Sequence, residues 1–234
     1  MNFAELADPI QHNPTLNPKL WEGSNRLKSE VRGALLRIAE DFKAYVEVPF
    51  KVIDVVITGS NVNFNYTGKS DLDLHLIADF DSVVCDREAA ELFDAKRLLY
   101  EREHDVHIYG IPVGLYVEDK DHPGVSAGTY SVLNDQWIKT PSKEHPAYDM
   151  EEVERMVEVW QTVIKQAMKT GDLQACRNAL QLLRKYRKLG LQLPQGEYSV
   201  PNLVYKVLRN DQTLEGITVL VNHLHDQALS LEKN

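Results

Sequence analysis

Two apolar runs joined by a Gly-Ser turn constrain this chain most. The first run is Val52 to Ile57, closed by Thr58-Gly59-Ser60. The second is Leu72 to Ala78, entered through Ser70-Asp71-Leu72-Asp73-Leu74-His75-Leu76. On a strand, alternate residues share a face. Asp71, Asp73 and His75 therefore point one way, and Leu72, Leu74 and Leu76 point into a core. Two carboxylates on one face repel each other and lose hydration. A divalent cation removes that conflict, and hard oxygen ligands of this kind suit Mg²⁺ or Mn²⁺. The plainer reading is the polar face of a half-exposed strand, which also alternates.

An apolar strand, Gly-Ser, about ten residues and then Asp-apolar-Asp-apolar resembles the signature of the DNA polymerase β-like nucleotidyltransferase superfamily. Gly59, Ser60, Asp71 and Asp73 carry the resemblance. It implies an α+β fold, with a nucleotidyltransferase-type mixed sheet, flanking helices and a following helical domain. It also implies a metal-dependent transfer of a nucleoside monophosphate from an NTP such as ATP to a hydroxyl. Asp71 and Asp73 would be shared ligands of Mg²⁺ (or Mn²⁺) in a two-metal mechanism. Gly59 and Ser60 would hold the triphosphate, since glycine lets backbone N–H groups approach an anion closely. Lys69 and Ser70 would lie near the phosphates, although Lys69 reads equally well as a solvated loop lysine. The general style is similar to uncharacterised nucleotidyltransferase-like proteins of phages and bacteria. The acceptor class stays open: a small molecule, a protein or an RNA end.

The family pattern places a third carboxylate on a later strand. The candidate strand is Ile111-Pro112-Val113-Gly114-Leu115-Tyr116-Val117-Glu118-Asp119, and glycine stands where the acid is expected. Glu118 shares the face of Gly114 but lies about 13 Å further along at roughly 3.3 Å per residue. A register shift or bulge would bring Glu118 in as a metal ligand. Asp105 is a second candidate, and His75 or His107 could substitute. The simplest expectation is a missing or displaced third ligand. That keeps a rival reading alive, a protein of the same fold that binds a nucleotide or a partner protein without catalysis.

The 234 residues suffice for one large domain or two small ones. A hydrophobic content of 43% and a net charge of −9 describe an ordinary soluble chain and argue against broad nonspecific nucleic-acid binding. No run is apolar enough to span a membrane, and Met1 to Lys19 lacks a secretory pattern. Two distant cysteines, Cys85 and Cys176, predict no disulfide scaffold and a cytoplasmic setting.

Periodicity predicts an irregular Met1 to Pro18 and a helix within Leu20 to Val46, carried by Leu27, Val31, Leu35, Ile38, Phe42 and Tyr45. A second helix is expected over Arg87 to His104, capped by Asp86, with Ala90, Phe93, Leu98 and Leu99 inward. A hairpin should join Asp105–Tyr109 to Val113–Val117 through Gly110-Ile111-Pro112, followed by a polar loop to Gly128. Thr129–Leu133 and Trp137–Lys139 read as another hairpin. Thr140 to Asp149 reads as a linker, dividing the chain into residues 1–145 and a helical part, 146–234. Helices are expected over Glu151–Lys169, Leu173–Lys188 with a stop at Gly190, Ser199–Arg209 and Thr213–Leu231. Arg177, Arg184 and Lys188 share one helical face and could meet nucleotide phosphates, with Tyr198 or Tyr205 stacking on a base. The plainer alternative is a solvated helix face.

Overall fold

The computed structural model describes residues 12–23, 25–83, 86–121, 124, 126–143 and 148–231. Most of the irregular start, the middle of the expected linker, Cys85, and the side chains of Asp86 and Arg87 lie outside the described residues. Two compact units divide the chain, one spanning Gln11–His145 and one built on Pro146–Asn234.

The first unit is a mixed α/β layer. In chain order it comprises β1 (Trp21–Glu22), β2 (Arg26–Leu27), α1 (Ser29–Val46), β3 (Val52–Thr58), β4 (Leu72–Ala78), α2 (Asp86–Glu103), β5 (His107–Ile108), β6 (Ile111–Asp119), β7 (Thr129–Ser131) and β8 (Gln136–Lys139). Strands β3 to β8 make one sheet in the order β5-β6-β4-β3-β7-β8. Only β4 and β6 pair in parallel, because α2 carries the chain back over the sheet between them.

Alternation gives the sheet two unlike faces. Leu72, Leu74 and Leu76 of β4 are fully buried with Val55, Ile57 and Leu115, against Val31, Leu35 and Phe42 of α1 and Phe93 of α2. Burying each leucine contributes about 1.5–3 kcal/mol. The opposite face carries Thr58, Asp73, His75, Gly114, Tyr116 and Glu118, as the pairings Thr58↔Asp73, Asp73↔Gly114, His75↔Tyr116 and Ile77↔Glu118 require.

Three local expectations are corrected here. The first helix starts at Ser29, not Leu20, because Gly23 turns the chain at a φ of 62° and Trp21 is held elsewhere. Trp21 stacks on Trp137 at 4.9 Å, and its Nε1 donates to the Asn61 carbonyl at 2.9 Å. In α2 the inward face is Ala89, Phe93 and Tyr100, while Leu98 and Leu99 are exposed, a rotation of one residue from the expected stripe. Tyr100 sets that phase, donating its hydroxyl to Asp41 of α1 at 2.6 Å and packing edge-on against Phe42. The β5–β6 turn is Tyr109-Gly110, both at positive φ, so Pro112 sits inside β6 opposite His107.

The second unit comprises α3 (Met150–Thr170), α4 (Leu173–Leu191), α5 (Val200–Asn210) and α6 (Thr213–Leu229). Asp149 and Asp172 cap α3 and α4 by accepting backbone N–H bonds, at 3.0 Å from Glu152 and 2.7 Å from Gln174. Val153, Val157, Ile164, Leu183, Leu203, Val207 and Ile217 fill its core. Gly190 does not stop α4, which runs on to Leu191. A Cβ there would stand 2.6 Å from Pro201 Cβ, so the glycine serves close packing. Among the described residues no helix is long and apolar enough to cross a membrane.

Asn61 ties the residues before α1 to the β3–β4 loop. It is fully buried, accepts from Asn17 Nδ2 at 2.7 Å and donates to the Asp71 carbonyl at 2.6 Å. Asn61→Ala strands both partners, at about 1–3 kcal/mol for each unsatisfied group. For the two groups together the expected outcome is a melting temperature lower by roughly 4–24 °C in thermal denaturation followed by circular dichroism.

Candidate functional site

The Gly-Ser turn and the aspartates meet at the end of β3. Gly59 has φ 81° and ψ −166°, a conformation open essentially to glycine alone. A Cβ at position 59 would also collide with the Asp73 carboxylate. Glycine is thus required twice here, by backbone conformation and by the close approach of Asp73. The chain then makes a single 3₁₀ turn over Ser60–Val62.

The loop back to β4 is closed by its own hydroxyls. Ser60 donates to Ser70 Oγ at 2.8 Å, and the Thr67 N–H donates to the same oxygen at 2.9 Å. Ser70 is buried and committed to holding the loop, whereas Lys69 is exposed and is placed by its N–H bond to Thr67 Oγ1 at 3.1 Å. Of the four expected phosphate contacts, Gly59 and Ser60 lie at the turn beside Asp73. Ser70 is one layer beneath, bonded to Ser60.

Asp71 is exposed just before β4, and Asp73 is half-buried within it. Their shared influence is recorded by Tyr116. Burial pushes its phenol up to about 12, and the charges of Asp73 and then Asp71 push in the same direction.

Gly114 is the ladder partner of Asp73. The β4–β6 register runs without a shift from Leu72↔Val113 to Ala78↔Asp119, so no bulge carries Glu118 toward the aspartates. Glu118 pairs with Ile77 instead. Its Oε1 lies 3.0 Å from His75 Nδ1, an approach of charge without hydrogen-bond alignment, and Oε2 accepts from the Gly124 N–H at 3.0 Å. Burial raises the Glu118 carboxyl, but His75 and the Gly124 N–H outweigh it and hold the group below the usual carboxylate range. His75 itself is 9% exposed, and its Nε2 meets Thr58 Oγ1 at 3.0 Å. Asp105 is 94% exposed at its side chain, beside His107. Among the described residues no three His, Cys, Asp or Glu side chains converge to hold a metal.

Carboxylate oxygens are the donor chemistry that Mg²⁺ or Mn²⁺ prefers, and Gly59 leaves the Asp73 carboxylate the space that a Cβ at that position would take. A separate cavity of about 340 Å³ opens on this sheet face, lined by Asp54, Val56, Thr58, Ile77, Glu118 and Lys139. A larger one of about 680 Å³, bounded by Glu40, Lys43, Phe50 and Ser82, touches none of the site residues.

In the helical unit, Arg184 and Lys188 are exposed on α4, whereas Arg177 donates to His225 Nδ1 at 2.8 Å. Arg187 donates to Asn202 at 3.1 Å and covers the Tyr205 ring at 4.5 Å, and Tyr198 is buried. The stripe is thus part free cation and part internal bonding.

Sequence reasoning passed over Tyr116 and Arg97. The only signal was the alternation that puts Tyr116 on the face of Gly114. Arg97 of α2, bonded to Asp94 at 2.6 Å and Glu101 at 2.8 Å, reaches over the Tyr116 ring at 5.2 Å. The chain matches no family model, no curated protein and no solved structure.

Gly59→Ala forces a side chain into the Asp73 carboxylate and a glycine-only conformation. It should cost about 1–3 kcal/mol in urea unfolding. Glu118 gives a pH test. Its carboxyl binds its proton more weakly folded than unfolded, so its stabilisation is present above the unfolded value of about 4.3 and lost as pH falls through the folded value. The stability gap between the wild type and Glu118→Gln should therefore be full near neutrality and shrink below about pH 4.3 in denaturant titrations at stepped pH.

Proposed function

We propose that this protein is a metal-dependent nucleotidyltransferase of the polymerase β-like type. Asp71 and Asp73 bind Mg²⁺ or Mn²⁺ with the triphosphate of an NTP. The observation that carries the reading is the glycine-only turn at Gly59 pressed against the Asp73 carboxylate, with Asp71 two residues before it at the mouth of β4. A mixed sheet whose acid-bearing strand, β4, runs antiparallel to β3 and parallel to β6 supports it.

In this reading Asp71 and Asp73 would hold the cation, which would supply neutralisation of the phosphate charge. The protein's own groups do the rest. Asp71 and Asp73 fix the position of the phosphate tail, and Gly59 and Ser60 line its approach with backbone N–H groups and a hydroxyl. An acceptor hydroxyl forms a new O–P bond at the α-phosphorus, the bond to the bridging oxygen breaks, pyrophosphate leaves and the hydroxyl proton passes to solvent. A net charge of −9 favours a small nucleotide over a nucleic-acid duplex, and the two cysteines, distant in sequence, suit a cytoplasmic setting.

A second reading has its own support. Gly114 beside Asp73 leaves the acceptor side without a carboxylate, which favours nucleotide binding without transfer. One experiment addresses both. Mg²⁺ with a non-hydrolysable NTP is titrated calorimetrically into the wild type, Asp71→Asn and Asp73→Asn, and pyrophosphate release from NTP is then followed. Micromolar binding by the wild type that weakens at least tenfold in either variant is expected. Pyrophosphate release then separates transfer from simple binding, and equal binding by all three proteins would sink both readings.

A further inference from the structure

Gly114 leaves a gap only on paper. A Cβ built there stands 3.5 Å from Tyr116 Cε2, 3.6 Å from Tyr116 Oη and 3.8 Å from Asp73 Oδ1. The phenol of Tyr116 thus folds back over the glycine. A carboxylate grown from position 114 would have to pass between the phenol and Asp73.

The ring is not free to swing aside. The His75 imidazole stacks on it at 4.7 Å and 19°, with its Nε2 meeting Thr58 Oγ1 at 3.0 Å and its Nδ1 lying 3.0 Å from Glu118 Oε1. The Arg97 guanidinium covers the ring at 5.2 Å and is itself forked onto Asp94 and Glu101. Glu101 Oε1 accepts the Leu115 N–H at 3.1 Å, which fastens this helix surface to the free edge of β6. Displacing the ring breaks the imidazole stack and the cation–π contact together.

Resting on the metal–nucleotide reading above, we infer that Tyr116 fills the seat of a third carboxylate and limits the site to one divalent cation per bound nucleotide. A second ion needs a further anionic oxygen within its shell, and a phenol is not a carboxylate. Tyr116 is a positioning residue in this scheme. It fixes how many ions the aspartates hold, and Gly114 and Tyr116 act as a matched pair.

The test counts Mn²⁺ directly. Bound Mn²⁺ is measured by electron paramagnetic resonance with a saturating non-hydrolysable NTP. The proteins are the wild type, Tyr116→Phe, and the double variant Gly114→Asp with Tyr116→Ala. One ion per chain is expected in the wild type and in Tyr116→Phe, which keeps the ring. Two are expected in the double variant, where the seat is emptied and given an acid. Two ions in the wild type overturn the inference and leave the nucleotide reading standing, and this outcome does not depend on any variant folding. A folded double variant that still holds one ion also overturns it. No nucleotide-dependent Mn²⁺ in the wild type removes the reading beneath it.

Discussion

The parallel pairing of β4 and β6 governs what this sheet can do. It is made possible by three leucines, Leu72, Leu74 and Leu76, buried beneath the helices. Slipping the register by one residue would turn those leucines to solvent and the aspartate face into the core. The apolar face therefore locks the polar one. Asp73 must stand beside Gly114, His75 beside Tyr116 and Ile77 beside Glu118. The chemistry of the open face follows from a constraint imposed on its opposite side.

Electrostatics on the open face are arranged in two groups. Asp71 and Asp73 form an anionic end at the turn after β3, with Gly59 pressed against Asp73. Glu118 is further along, 3.0 Å from His75 Nδ1 and accepting the Gly124 N–H. Tyr116 lies between them, stacked on His75 and covered by Arg97. A charge that is already satisfied is a poor candidate to join a metal. Glu118 is satisfied by groups that the unbroken ladder places beside it.

The loop between β3 and β4 owes its shape to neutral polar bonding rather than to charge. Ser60, Thr67 and Ser70 bond one another, and Asn61 joins the loop to Asn17, Trp21 and the backbone of Asp71. Such a network, fully satisfied inside the protein, holds Asp71 at the mouth of the strand without burying it. The residues before α1 thereby become part of the site's support. A helix drawn from Leu20 onward misses this, since the pull on Trp21 comes from Asn61 and Trp137, far away in the chain.

Alternation and turn chemistry were legible in the sequence. The strands at Val52 and Leu72, the open face of Asp73 and His75 and the glycine turn between the strands all follow from period-two patterning and from what glycine permits. So did the four helices of the second half, whereas their caps at Asp149 and Asp172 were seen only in the structure. Only the tertiary structure decided the phase of α2, where Tyr100 bonds Asp41 and turns Leu98 and Leu99 outward. It alone turned Gly190 from a helix stop into a packing contact with Pro201. It alone brought Arg97, His75 and Tyr116 into one stack. The physical reason is the same in each case. Backbone period and glycine conformation are properties of neighbouring residues, whereas stacking, helix phase and the fate of a carboxylate depend on partners that folding brings from elsewhere in the chain.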